Sequence, residues 1–338
     1  MSKHLSRAGG LAAALVALLL SACAAQFQLP GPPVTTAELD HDHWRTPDGA
    51  ALPIRIWMPT GQVRAVILAL HGMNDYSNAF DGPGKALAAR GIAVYAYDQR
   101  GFGQAPHPGY WSSAQAMAAD LRDATALVAS RFPGVPLYLL GESMGGAVVM
   151  VTVAGTPPPQ VKGIILVAPA VWGRATMGFV ERAALWLAYQ VAPGWELTGQ
   201  GLHIQASDNI PMLRALARDP LVIKATRVDA IEGLVDLMDE AAAAAPHIRV
   251  PALILYGEKD QIIPPEATWA MIRHLPRTGA PRRIALYPHG YHMLLRDLEA
   301  RTVIDDIAAW VADPAAPLPS GADAHARAEM IKKGIAVP

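Results

Sequence analysis

Uninterrupted apolar runs recur along the chain at 65–70, 92–97, 137–140, 164–167 and 252–256. Runs of this length without polar alternation belong to strands buried on both faces, as in a parallel sheet packed between helices. Two more strands are predicted at 54–58 and 283–287, where polar residues intervene. Between the strands, apolar positions follow a helical period at 84–90, 113–131, 145–154, 265–274 and 294–311. This alternation of strand and helix predicts a three-layer α/β fold with a mostly parallel central sheet.

The stretch 172–245 breaks the alternation. It holds helical patterns and no convincing strand, and it far exceeds the about 12–15 residues that a plain loop reaches. An inserted helical cap is predicted there, above a core formed by 37–171 and 246–313. Trp172, Met177, Phe179, Trp186, Tyr189, Trp195 and Met212 lie in this segment. They line an apolar entrance if they face the core, and only hold the cap together if they do not. The Ala/Pro/Ser/Gly-rich stretch 314–338 is predicted to be poorly ordered. The Pro-rich stretch that ends near Thr36 reads as an extended tether, covering 23–36.

Composition narrows the function. The 338 residues are 52% hydrophobic, which suffices for a large core and excludes disorder over most of the chain. With 28 basic and 29 acidic residues the net charge is -1, so the chain has no field to steer nucleic acid. A small-molecule or lipid substrate fits better. The N-terminus carries Lys3 and Arg7, then an apolar run at 11–20, then Leu20-Ser21-Ala22-Cys23. That run is short for a membrane span but right for a signal-peptide core. The segment resembles a bacterial lipoprotein signal, which implies removal of 1–22 and lipidation of Cys23. Cys23 is the only cysteine, so it has no partner for an intramolecular disulfide. Ala24 and Ala25 lack the aspartate that by family rule holds lipoproteins in the inner membrane. The expectation is a membrane-anchored envelope protein, on the periplasmic face of the outer membrane.

The chemistry centres on Gly141-Glu142-Ser143-Met144-Gly145, which follows an apolar strand and opens a helix-forming run. Gly-x-Ser-x-Gly in that setting is a nucleophile elbow: a strained turn that lifts the serine hydroxyl above the sheet, with a helix N-terminus behind it. A serine hydroxyl needs a base, and the base needs an acid to orient it. In an α/β-hydrolase these follow in the order Ser, Asp or Glu, His, on loops after strands. The strand at 252–256 leads into Gly257-Glu258-Lys259-Asp260, and the strand at 283–287 leads into His289-Gly290-Tyr291-His292. Glu258 and His289 are rivals near the strand ends. Asp260 and His292 are preferred because they sit deeper in their loops, leaving Glu258 solvated and His289 a loop hydrogen-bonder. His71-Gly72-Met73 follows an early strand, so the backbone N–H groups of Met73 and Met144 are the predicted oxyanion donors. His71 precedes the serine and reads as a buried structural histidine. Asp98 reads as a brace for the turn after its strand.

Together His71-Gly72-Met73, the Tyr97-Asp98-Gln99-Arg100-Gly101-Phe102-Gly103 turn, the elbow, the Gly257-Glu258-Lys259-Asp260 turn and His292 resemble the monoglyceride lipase and lysophospholipase group of the α/β-hydrolase superfamily. The resemblance spans about 44–311. It implies hydrolysis of single-chain acyl esters through an acyl-enzyme, without metal or other cofactor, under a helical cap. The word aminopeptidase is attached to relatives of this group, but no site for a peptide α-amine is legible. The same triad also serves a general carboxylesterase or an acyltransferase, and a lipid-binding lipoprotein without catalysis is the non-enzymatic alternative.

Overall fold

The apolar runs become the centre of a nine-stranded sheet in the computed structural model, which describes residues 24–201 and 203–336. The predicted signal segment and Cys23 lie outside these residues. The strands are β1 (Glu38–Leu39), β2 (His43–Arg45), β3 (Ala51–Trp57), β4 (Ala65–Leu70), β5 (Ile92–Tyr97), β6 (Leu137–Glu142), β7 (Gly163–Val167), β10 (Ala252–Gly257) and β11 (Arg282–Tyr287); β8 (Glu196–Thr198) and β9 (Ala225–Arg227) lie in the cap. The sheet order is β1-β2-β3-β5-β4-β6-β7-β10-β11. The first three strands and the β3–β5 pair run antiparallel, and every other neighbour is parallel. Every residue of β4, β5, β6, β7 and β10 is buried, which explains why apolar residues run through them, with Glu142 at the end of β6 the one charged exception. β3, near the edge, keeps Arg55 exposed and alternates.

The helices are α1 (Asp81–Ala88), α2 (Ala114–Arg131), α3 (Met144–Ala154), α4 (Phe179–Val191), α5 (Ile210–Arg218), α6 (Val228–Ala244), α7 (Pro265–His274), α8 (Ala300–Ala312) and α9 (Ala322–Lys332). α2 starts where the Ser113 side chain accepts from Ala116 N–H at 3.0 Å, a standard N-cap. α8 starts later than its apolar period suggests, because 294–299 forms a loop of turns instead. The parallel register sets Leu70 against Gly141 and Glu142 against Val167, so β4, β6 and β7 end along one edge of the sheet.

Four sequence expectations need correction. The interval 172–245 does contain strands: β8 (Glu196–Thr198) and β9 (Ala225–Arg227) form an antiparallel ribbon, too short to register as a pattern. Its last helix, α6, is no cap helix, since Ala230, Val235, Leu237, Met238 and Ala241 are buried in the same core as Val148. The excursion above the sheet thus closes at β9. The stretch 314–338 is ordered as far as it is described: α9 spaces Ala322, Ala326 and Met330 four apart and buries all three. Arg283 holds α9 through Asp323, and Glu258 pairs with His325. The expected tether is also docked. Gln28 N–H donates to Trp111 O at 2.8 Å, Ser112 Oγ donates to Gln28 O at 3.0 Å, and Gln26 N–H donates to Asp229 Oδ2 at 3.1 Å. The docked residues precede the prolines, and their backbone pairs with a neighbouring loop through a parallel bridge between Phe27 and Trp111.

Candidate active site

The elbow lies between β6 and α3. Ser143 has φ 54° and ψ -116°, a strained conformation for a residue with a side chain. Nearby backbone leaves no room for alternatives: a Cβ on Gly141 would lie 2.3 Å from Gly145 O, and one on Gly145 would lie 2.2 Å from Leu70 O. Ser143 N–H donates to Val167 O at 2.9 Å, and Ser143 O accepts from Ala170 N–H at 2.9 Å, so β7 pins the turn. Met144 begins α3, and its N–H is one of the unpaired donors at the helix start.

Gly72 faces this serine. A Cβ there would lie 3.3 Å from Ser143 Cβ and 3.8 Å from Oγ, so the backbone that leads to Met73 runs directly beside the hydroxyl. His71 holds this loop. Its Nδ1 donates to Gly72 O at 2.8 Å, while Nε2 accepts from Gln99 N–H at 3.0 Å. A ring that donates at one nitrogen and accepts at the other is neutral, and full burial lowers its pKa further. Asp98 accepts from Ser77 N–H and Gln104 N–H, both at 2.9 Å, as expected of a turn brace.

Asp260 and His292 meet across two loops. His292 Nδ1 lies 2.8 Å from Asp260 Oδ2, and Asp260 Oδ1 accepts from Ile262 N–H at 2.7 Å and Ile263 N–H at 3.0 Å. Three bonds fix the carboxylate, whose side chain has no exposed surface. With Nδ1–H donated to Asp260, the lone pair of His292 is on Nε2, which is the arrangement a general base requires. Among the described residues, Ser143 Oγ makes no hydrogen bond to His292; such contacts often tighten only with substrate bound. The rivals point elsewhere: Glu258 and His289 are exposed. Glu258 pairs with His325, and His289 makes no side-chain hydrogen bond among the described residues, so its expected loop bond is absent.

Sequence reasoning missed Arg296. Its Nη1 donates to Asp75 Oδ2 at 2.7 Å and its Nη2 to Glu142 Oε2 at 3.1 Å. Asp75 belongs to the turn that starts at Gly72, since its N–H donates to Gly72 O at 3.3 Å. One buried cation therefore ties the His71–Asp75 loop, the elbow and the His292 loop together. Burial pushes the Glu142 carboxyl above its ordinary pKa, and Arg296 opposes the shift. The available signal was Glu142 itself, a carboxylate at the end of a wholly buried strand, which requires a cation nearby. The His292 loop is also tied to the cap segment: Met293 N–H donates to Ala206 O at 3.0 Å and Asn209 Nδ2 to Arg296 O at 2.9 Å. The Gly72 loop is tied likewise, by Asn74 Nδ2 to Thr226 Oγ1 at 2.7 Å and Tyr76 OH to Asp219 Oδ2 at 2.8 Å.

The cap aromatics divide. Trp172 and Met177 are half-buried against the core, and Tyr189 is half-buried. Phe179, Trp186 and Trp195 face solvent, contrary to an inner lining. Met212 lines a groove of ≈ 720 Å³ between α1, α5 and α8, and Ser143 is not part of that groove. Among the described residues no group of three or more His, Cys, Asp or Glu is placed to hold a metal ion.

A mostly parallel sheet with a strained serine elbow and an Asp–His pair at its edge defines an α/β-hydrolase. The model of the Hydrolase_4 family, described as serine aminopeptidase, S33, matches residues 61–299, and the chain belongs to that family. It is 26% identical over 269 residues to the monoacylglycerol lipase of Mycolicibacterium smegmatis, covering 78% of this chain and 93% of the relative. It is 27% identical over 277 residues to the monoglyceride lipase of Rattus norvegicus, covering 80% and 90%. The fold matches a soluble variant of the monoglyceride lipase of Saccharomyces cerevisiae with a TM-score of 0.67 at 22% identity, covering 84% of this chain and 98% of that one. The family match makes the chain a hydrolase of that family.

Proposed function

We propose that the chain hydrolyses carboxylic esters of monoacyl lipids, with Ser143 as nucleophile, His292 as base and Asp260 as the orienting acid. The observation that carries this reading is the 2.8 Å bond between His292 and Asp260, which leaves Nε2 free at the sheet edge that presents the Ser143 elbow. Ser143 Oγ attacks the ester carbonyl as His292 Nε2 takes its proton. The carbonyl oxygen gains the negative charge, and the Met73 and Met144 N–H groups receive it. Each such donor lowers the barrier by about 3 kcal/mol. The tetrahedral intermediate collapses, the proton on His292 passes to the departing alcohol, and an acyl ester on Ser143 remains. Water deprotonated by His292 then attacks that ester, and as the bond to Ser143 Oγ breaks His292 returns the proton to Oγ and the fatty acid leaves. Asp260 stays ionised throughout and stabilises the charged imidazole.

The likeness to monoglyceride lipases supports a monoacylglycerol substrate; the lysophospholipid alternative rests on the sequence motifs alone. The Leu20-Ser21-Ala22-Cys23 sequence supports a lipid-bearing N-terminus at Cys23 and a place in the cell envelope, on the periplasmic face of the outer membrane. A panel of p-nitrophenyl esters and natural monoacyl lipids of graded length tests the substrate class. Medium and long chains should exceed acetate in kcat/KM; a steady fall with each methylene from acetate upward refutes it.

A further inference from the structure

Asn74 directly follows Met73 and has φ 65°, in the left-handed region. Asp75 N–H donates to Gly72 O at 3.3 Å, so 72–75 closes a turn with Met73 and Asn74 as its central pair. Only the second of that pair has a positive φ, which is the pattern of a type II turn. The sign of that angle decides which way the Met73–Asn74 peptide faces, and with it the path of the backbone through Met73. On its other side the turn abuts the nucleophile, since a Cβ on Gly72 would lie 3.3 Å from Ser143 Cβ.

The turn alone does not account for an asparagine. Glycine adopts a left-handed φ without steric cost, and asparagine only tolerates it. Asn74 Oδ1 is also buried with no hydrogen-bond partner among the described residues, which is unfavourable. What the residue gains is a hold on the cap. Its Nδ2 donates to Thr226 Oγ1 in β9 at 2.7 Å, and its carbonyl accepts from Ile223 N–H at 3.0 Å. Tyr76 OH, donating to Asp219 Oδ2 at 2.8 Å, extends the same brace. Met73, Asn74, Ile223 and Thr226 line one small enclosed void, so the brace reaches the surroundings of Met73 itself.

We propose that Asn74 is a positioning residue of the oxyanion hole: the cap segment 219–226 holds its left-handed turn, and the turn aims Met73 N–H at the oxygen that becomes negative. The inference rests on the reading of Ser143 as nucleophile and Met73 as donor. The cap then acts on the chemical step itself, because a displaced donor loses stabilisation that is realised in the transition state.

The test pairs kinetics on p-nitrophenyl butyrate with inhibition by an alkyl trifluoromethyl ketone. Ser143 Oγ adds to the ketone carbon as its proton passes to His292, and the carbonyl oxygen becomes an oxyanion in the hole. Thr226→Val removes the acceptor with little change of shape, while Asn74→Gly keeps the left-handed turn and removes the amide. Each should lower kcat about tenfold with KM within about twofold, and raise the ketone Ki by the factor that kcat/KM falls. The double variant should lose no more than either single one, since both remove the same bond. Thr226→Ser keeps the hydroxyl and should stay within about twofold of wild type. Wild-type kcat in Thr226→Val, additive losses in the double variant, or a lowered rate with unchanged Ki per active site titrated by fluorophosphonate overturns the positioning role. A ketone that binds wild type no better than the matching alcohol contradicts the Ser143 and Met73 reading itself. Tight binding to wild type with an equal Ki in Thr226→Val overturns the role of Asn74 alone.

Discussion

Arg296 Nη2 donates to Glu142 Oε2 at 3.1 Å, which places a buried guanidinium against the residue that precedes Ser143. Removing the cation leaves Glu142 and Asp75 buried and unpaired, and breaking such a pair costs about 3–5 kcal/mol. Arg296→Ala should therefore lower stability by that order in chemical denaturation. Arg296→Met with Glu142→Gln should recover part of the loss, because no uncompensated charge remains at Glu142. A single Arg296→Ala variant as stable as wild type refutes the role.

His292 and Asp260 should act as a unit with the serine. His292→Ala should lose nearly as much kcat as loss of the nucleophile, and Asp260→Asn somewhat less. Glu258→Gln and His289→Ala should stay within about tenfold of wild type, since both side chains are exposed. Steady-state kinetics on a soluble ester decides: an inactive His289→Ala beside an active His292→Ala reverses the assignment.

Asp297 gives a pH signature of stability. Burial raises its carboxyl to about 6 from the ordinary 3.8, against the bonds from Ser207 Oγ at 2.5 Å and Tyr291 N–H at 2.7 Å. A carboxyl whose folded pKa is raised binds its proton more tightly in the native state. Its contribution is fully present below pH 3.8 and is lost as pH rises through about 6. The Tm of wild type relative to Asp297→Asn should fall between pH 4 and pH 7; a difference that is constant or rises contradicts the assignment.

Much of this molecule was legible because burial and sequence coincide. Parallel strands such as β4 and β10, covered on both faces, write themselves as apolar runs, and the elbow announces itself through two glycines that backbone contacts require. Asp260 and His292 were separable from Glu258 and His289 by depth in their loops. What stayed hidden depends on contacts distant in sequence. The Arg296 bonds join residues 154 and 221 positions apart, so no local pattern shows them. The outward turn of Phe179 and Trp186 was equally hidden, because a helical period marks an apolar face without saying what lies opposite. Met144 and Met73, proposed as donors through their backbones, were legible only by position, one after the elbow serine and one after Gly72.

Cys23 supplies a prediction about location. Wild type should fractionate with membranes and Cys23→Ser should lose lipid attachment, because acyl chains in combination give stable anchoring. Intact-mass analysis of detergent-extracted wild-type protein that shows an unmodified cysteine disposes of this anchor.

The central claim is that Ser143 carries the acyl group. The most direct measurement is mass mapping of the adduct left by a fluorophosphonate probe, paired with kcat for Ser143→Ala on a soluble p-nitrophenyl ester. A single adduct on Ser143 is predicted, with a folded alanine variant that neither labels nor retains more than about 10⁻⁴ of wild-type kcat. An adduct on another residue, or an alanine variant that keeps a tenth of the activity, contradicts the account.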